Sequence, residues 1–348
     1  MQRYKQIKPL YENIHIGDFN IIERKISNND FNISIGLANI SAKVGDIEFN
    51  KNKIVEAIKL MKLRNVNMCV FPEFCLAGYF WDTTPQEGID NEEQIGNEDC
   101  WNYMDEAVIE NHVDWVEKEL KGLLDENLQF IIFNNIRKGN SENRKYMNST
   151  YIVHKDLDFL NENLIYDKCF LPGIEKTYTN ENPTDRLVID TKWGRFGFLI
   201  CYDLCFSELL REYSQVDKVD AIIEMASWRG TAERDYEVAN VKSDVYYGDL
   251  WNMLIPTYAA INQVWIVACN AVGVHDVSNA KFWGGSGLWA PSGLKIIQAS
   301  HSDDELLILH NIDIKGQKEF EKEDFDYNLD FNKIYNPIKG KRCYTRIK

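Results

Sequence analysis

From residue 32 to residue 312 the chain alternates apolar runs of strand length with stretches whose apolar side chains recur at helical spacing. Residues 32–40 read as a buried strand. Residues 50–64 then place Ile54, Ala57, Ile58 and Met61 on one helical face, and Met68-Cys69-Val70-Phe71 is a second apolar run that stops at Pro72-Glu73. A strand, a helix and a strand in that order favour parallel pairing, because a parallel connection needs a long crossover. Ile109, Val113, Val116, Leu120 and Leu123 mark another helix, and residues 130–133 another strand. Residues 149–154, 164–166 and 187–190 look antiparallel. Phe198-Leu199-Ile200 runs straight into Cys201. A helix at 204–213, a strand at 221–223, a helix at 250–262 and strands at 264–268, 287–290, 295–298 and 306–312 complete the alternation, which specifies an α/β fold.

With 348 residues, 45% of them hydrophobic, the chain can bury a large core. Residues 31–314 carry the alternation without a Pro/Gly-rich break, so one domain is expected there, with 1–30 as an N-terminal extension. Residues 315–348 mix charge with isolated aromatics and read as a C-terminal arm lying on the domain or on another subunit. No run of 18 apolar residues and no secretory leader is evident, which points to a cytoplasmic protein with no membrane partner. The eight cysteines form no C-x-x-C pair and no zinc-type cluster, so reduced thiols are expected and neither metal nor cofactor is called for. The net charge of −15 argues against nucleic acid. Residues 82–119 hold thirteen acidic side chains and one basic one, a solvated loop and helix face or a docking surface for a basic partner.

Three residues stand where chemistry is easily placed. Cys201 ends an apolar strand and precedes a helix, so its thiol sits on a rigid platform, and the N–H of Tyr202 can face a developing oxyanion. A buried structural cysteine would also fit the run. None of the six histidines lies in a catalytic-looking motif, which leaves a Cys–His arrangement without local support. Glu73, at the end of its apolar strand, offers a carboxylate as general base, or a capping or ion-paired group. Lys168, just after the strand ending at Tyr166, either snorkels to solvent or points inward to stabilise an oxyanion.

Together these residues resemble the carbon–nitrogen hydrolase (nitrilase) superfamily, whose members use a Glu-Lys-Cys constellation. Phe71-Pro72-Glu73-Phe74 with Gly78-Tyr79 resembles the glutamate motif, and Tyr166-Asp167-Lys168 with Leu171 the lysine motif. Gly197-Phe198-Leu199-Ile200-Cys201-Tyr202-Asp203, with Phe206 and Glu208, resembles the cysteine motif. Ala226-Ser227-Trp228, the stretch Ala260-Ile261-Asn262-Gln263-Val264 with Asn270 and Gly273, and Phe282, Gly284, Ser286, Pro291 and Gly293 match later elements.

The resemblance implies an αββα four-layer sandwich, two mixed sheets with outer helices, assembled as homodimers or larger homo-oligomers. It implies catalysis by Cys201, Glu73 and Lys168, with Glu175 as the candidate for a second glutamate near the lysine; a surface ion pair is the other reading of Glu175. Cys-Tyr-Asp at the nucleophile is more typical of amidases and carbamoylases than of nitrilases, so the expected substrate is a small amide or N-carbamoyl compound. A nitrile is the alternative, as is a catalytically silent binding scaffold of the same fold. Tyr79, Trp81, Trp228, Phe282 and Trp283 are candidates for an aromatic-walled pocket, and Arg229 for a carboxylate clamp. Core packing would equally explain the aromatics. Cys205 stands where many relatives carry arginine, and the stretch between Trp228 and Trp251 and the acidic segment after Asp82 are longer than usual.

Overall fold

The computed structural model describes residues 12–16, 19–79, 98–139, 145–173, 175–182, 186–275 and 279–334. The first sheet contains β1 (Glu12–Ile16), β2 (Phe19–Lys25), β3 (Ile33–Asn39), β4 (Met68–Val70), β5 (Phe130–Lys138), β6 (Tyr146–Val153) and β7 (Ile165–Asp167). The second contains β8 (Val188–Thr191), β9 (Gly194–Ile200) and β10 (Ala221–Ala226). A separate hairpin follows, β11 (Arg234–Tyr236) with β12 (Val241–Ser243). The second sheet resumes with β13 (Trp265–Asn270); β14 (Val272–Val274) and β15 (Lys281–Trp283) pair with each other, and β16 (Gly287–Trp289) and β17 (Lys295–Gln298) finish that sheet. The last strand, β18 (Glu305–Ile312), returns to the first sheet. The strand orders are β1-β2-β18-β3-β4-β5-β6-β7 and β17-β16-β13-β10-β9-β8.

Each sheet is parallel in its middle and mostly antiparallel at its flanks, the parallel pair of β2 with β18 being the exception. Strands β3, β4 and β5 run parallel, as do β9, β10 and β13. The parallel strands are buried on both faces, which is why they read as near-continuous apolar runs. Alternation still sorts their side chains. Ile33, Ile35, Leu37, Met68, Val70 and Ile132 point into the layer shared with the second sheet, whereas Cys69, Ile131 and Phe133 point outward beneath helices. Each such side chain contributes about 1.5–3 kcal/mol when fully buried.

The outer face of the first sheet is covered by α1 (Ile47–Lys62) and by α2 (Glu98–Ala107) with the helical stretch 113–123. Asp46 caps α1 by accepting from the Phe49 N–H at 3.0 Å. The described part of the acidic segment is an amphipathic cover: Met104, Ala107, Trp115 and Val116 are buried and Asp114, Glu117 and Glu119 face water. The second sheet is covered by α3, here the helix Ser207–Gln215, and α4, Tyr246–Asn262. A Cβ at Gly197 of β9 would come within 2.7 Å of the Tyr213 ring, so the helix after the nucleophile strand packs directly on its backbone. The four layers are those of an αββα sandwich.

Residues before 31 supply strands to this sheet: β2 pairs in parallel with β18 and buries Phe19 and Ile21 completely. The start of the C-terminal arm lies on the domain as Ile314–Asp324 and Tyr327–Ile334. There Trp265 Nε1 donates to the Ile314 carbonyl at 3.1 Å, and Lys318 Nζ contacts Asp220 at 3.0 Å. Residues 335–348 lie outside the described residues. Among the described residues no helix is long and apolar enough to cross a membrane.

Candidate active site

The parallel strands of both sheets end at one place. β4 delivers Pro72 and Glu73, β9 delivers Cys201 and β10 delivers Ser227. Lys168 extends β7, its N–H continuing the ladder to the Asn148 carbonyl at 2.9 Å, and Glu175 opens the short 3-10 turn after it. Lys168 Nζ lies 2.8 Å from Glu73 Oε1 and 2.8 Å from Glu175 Oε1. All three side chains are buried. A lysine pointing inward to two carboxylates excludes both the snorkelling reading of Lys168 and the surface ion pair considered for Glu175.

Buried charges need further hydrogen bonds. Asn148 Nδ2 donates to Glu73 Oε1 at 2.8 Å and to Glu175 Oε2 at 3.2 Å. Asn148 Oδ1 accepts in turn from Asn134 Nδ2 at 2.9 Å, and Asn134 Oδ1 accepts from the Phe74 N–H at 2.8 Å. The Ser227 N–H donates to Glu73 Oε2 at 2.9 Å, and the Ser227 hydroxyl to the Glu73 carbonyl at 2.8 Å. Tyr79 donates its hydroxyl to Glu175 Oε1 at 2.7 Å. Glu73 is thus held from both sheets.

Cys201 sits at φ 51°, in the left-handed region, as does Phe74 beside Glu73. For a residue with a Cβ this costs about 1–2 kcal/mol. Asp203 holds the turn. It accepts from the Ile200 N–H at 3.1 Å, the Phe170 N–H at 2.8 Å and the Tyr166 hydroxyl at 2.8 Å. The last two come from the segment that carries Lys168, so one carboxylate fastens the thiol to its neighbours. Tyr202 follows in the first turn of a 3-10 helix, where an N–H has no acceptor within the helix.

The charges act on one another. Burial pushes the Cys201 thiol well above its ordinary pKa and Glu73 adds to the rise, with Lys168 opposing both. Burial works against the Lys168 ammonium, but Glu175, Glu73 and Cys201 outweigh it and hold its pKa well above the usual lysine value. Burial raises the Glu175 carboxyl against the pull of Lys168. Burial also lifts Asp203 to about 6.

Cys201 opens into a cavity of about 420 Å³ whose walls include Tyr79, Trp228 and Arg229. Phe282 and Trp283 are not on these walls. Phe282 packs edge-on against Tyr79 from behind, centroids 6.2 Å apart. Trp283 is wedged beneath α4, where a Cβ on Gly248 would come within 2.6 Å of its indole. Core packing explains both. Trp81 lies outside the described residues. The walls also carry Tyr202, Cys205, Arg234, Tyr246, Tyr247 and Leu250. Four of these come from the long stretch after Trp228, whose length was the signal available in the sequence. Asn148 and Ser227 were missed as ligands of the glutamates, and Asn134 as the residue behind Asn148; for the two asparagines, a polar side chain inside a strand covered on both faces is the sign of a buried partner.

The carbon-nitrogen hydrolase family matches residues 34–321 of the chain. The chain belongs to this family. Among curated relatives of the carbon-nitrogen hydrolase are a probable nitrilase of Schizosaccharomyces pombe, 23% identical over 84% of this chain and 93% of its own, and the N-carbamoylputrescine amidase of Arabidopsis thaliana, 27% identical over 48% of this chain and 55% of its own. A carbon-nitrogen hydrolase from Helicobacter pylori has the same fold, with a TM-score of 0.67 and 19% identity, over 89% of this chain and 98% of that one.

Proposed function

We propose that this carbon-nitrogen hydrolase cleaves a non-peptide C–N bond of a small amide or N-carbamoyl compound through a thioester on Cys201. The observation that carries the reading is the buried ammonium of Lys168 between Glu73 and Glu175, 2.8 Å from each, beside the thiol at the end of β9. A thiol held neutral by burial needs a base at the moment of attack. Glu73 takes the Cys201 proton as sulfur bonds to the carbonyl carbon, and the C=O π pair moves to oxygen. Lys168 and the Tyr202 N–H stabilise that oxyanion. Collapse expels the nitrogen, protonated by Glu73, as ammonia or an amine. Water, deprotonated by Glu73, then attacks the thioester; the acid leaves and the thiol is restored. Glu175 orients Lys168 and keeps its charge.

A nitrile is the second reading, favoured by the relative named a probable nitrilase. In that case the first adduct is a thioimidate, and ammonia leaves after addition of water. A homo-oligomer in the cytoplasm is the setting we assign; the exposed Phe320 and Leu329 on the C-terminal helices, and Phe325 between them, support the oligomer.

The test is a panel of amides, N-carbamoyl amines and amino acids, and nitriles, scored by ammonia release and by intact mass. Acyl adducts on Cys201 and no turnover by a folded Cys201→Ala variant are expected. Absence of adduct and of ammonia across the panel would replace the enzyme with a binding scaffold.

A further inference from the structure

The segment between Trp228 and α4 folds over the mouth of the cavity as the β11–β12 hairpin. The Ala232 N–H bonds to the Asp244 carbonyl at 3.0 Å, and the Tyr246 N–H to the Ala232 carbonyl at 3.2 Å, which closes the base of the hairpin onto the start of α4. This places Arg234 and Tyr246 on the cavity wall. The Arg234 guanidinium lies over the Tyr246 ring, 4.7 Å from its centroid. Stacking of this kind holds the planar cation in one orientation while leaving its edge donors free.

Those donors are almost unspent. The Arg234 side chain makes one long hydrogen bond, 3.4 Å to the neighbouring Glu233 carbonyl, and no carboxylate among the described residues pairs with it. Its sequence neighbours Glu233 and Asp235 project to the opposite face of the strand, where Glu233 pairs with Lys242. Arg229 has partners of its own. Among the described residues the cavity lining includes two arginines and no Asp or Glu, in a chain whose net charge is −15. The thiol is buried and Arg234 is exposed, and the cavity wall they share also carries the apolar faces of Trp228, Tyr247 and Leu250.

We propose that Arg234 is an anion-recognition residue: the substrate carries a carboxylate or similar anionic group at the end remote from the scissile bond, joined to it by an apolar spacer. This rests on the proposed function for the location of the scissile bond. Charge-assisted, bidentate contact to a guanidinium is the recognition chemistry.

The experiment compares ω-carboxylate amides (succinamate, glutaramate and adipamate) with their neutral counterparts butanamide, pentanamide and hexanamide. For the best-fitting spacer, kcat/KM should favour the carboxylate by about tenfold or more, chiefly through KM, since a factor of ten is about 1.4 kcal/mol. Arg234→Met should erase that ratio by lowering kcat/KM for the carboxylates far more than for the neutral amides; Arg234→Lys should keep part of it. A wild-type ratio of one or less, or the same ratio in Arg234→Met, overturns the proposal while leaving the thiol hydrolase intact. Calorimetric titration with glutarate and adipate reads the anion site without any turnover. Binding by the wild type that Arg234→Met loses supports it even if no amide is cleaved, an outcome that would instead overturn the hydrolase reading. Absence of binding by the wild type counts against the anion site.

Discussion

At the scale of single residues, Asn148 and Asp203 connect the proposed machinery without taking part in bond making. Asn148 donates to both glutamates. In Asn148→Ala the carboxylates lose a donor in a buried place, and about 1–3 kcal/mol of stability with them. A fall in kcat of about tenfold or more is expected, since the geometry of a preorganised site is lost. Urea unfolding and steady-state kinetics read the two effects separately. Asp203→Asn turns an NH2 toward donors and should cost similar stability, with a larger kinetic loss because the Cys201 turn is no longer held.

Thiol reactivity is a second residue-scale outcome. A Cys201 pKa raised by burial and by Glu73 leaves less thiolate at any given pH than a free thiol has. Iodoacetamide should therefore label Cys201 of the resting protein more slowly at pH 7 than it labels glutathione, with the rate rising as pH rises. Lys168→Met removes the one group that opposes the rise and should slow labelling further. Faster labelling in that variant would show that Lys168 does not act on the thiol. Glu73 and Cys201 could be picked out because each follows an apolar strand and stops it, and Lys168 because it stands between a strand and an apolar run; the family resemblance joined the three. Asn134 and Asn148 could not be, since a polar residue within a buried strand signals that it has a partner but not which distant group that is.

At the scale of elements, what could be read depended on how local the pairing was. The strands β3, β4, β5, β9, β10 and β13 announced themselves by apolar continuity. β2 alternates Phe19, Asn20 and Ile21, yet beyond its short hairpin with β1 it joins the sheet through β18, which begins at Glu305, far along the chain. Phe19→Ala is expected to cost about 3–5 kcal/mol, the usual toll of emptying an aromatic site in a core. Removal of residues 1–27 should uncover the edge of β18 and produce aggregation seen by light scattering. A soluble, fully folded truncation would mean that β2 is dispensable. The β11–β12 hairpin was illegible for another reason. Its strands, Arg-Asp-Tyr and Val-Lys-Ser, bury nothing and show no alternation, so excess length was its only trace.

At the scale of the whole molecule, electrostatics couples the fold to pH. Glu224, on β10, is fully buried, and neither of its carboxyl oxygens has a hydrogen-bond partner among the described residues. Burial holds its pKa well above the ordinary value, with Asp203 and Glu73 adding to the rise. The folded state therefore keeps a proton that the unfolded state releases near pH 4.5. Stability from this group is complete below that pH and is lost as pH rises toward the folded pKa. Glu224→Gln removes the linkage. Its advantage over the wild type in urea unfolding should grow between pH 5 and pH 8, by up to about 1.4 kcal/mol per pH unit. An advantage that shrinks with pH would mean Glu224 is ionised in the native protein.

The acid groups Glu73 and Glu175 and the ammonium belong to one sheet and the sulfur to the other, and the space between the two is filled mainly by apolar side chains, crossed by a few polar ties such as Ser227 to Glu73 and Tyr166 to Asp203. Those few bonds fix a sideways offset less strictly than a ladder of amide bonds does. A slip of an ångström between the leaves would leave circular dichroism untouched and separate acid from sulfur. Mild denaturant should therefore silence the protein before it melts, which makes turnover a gauge of how the two leaves are seated.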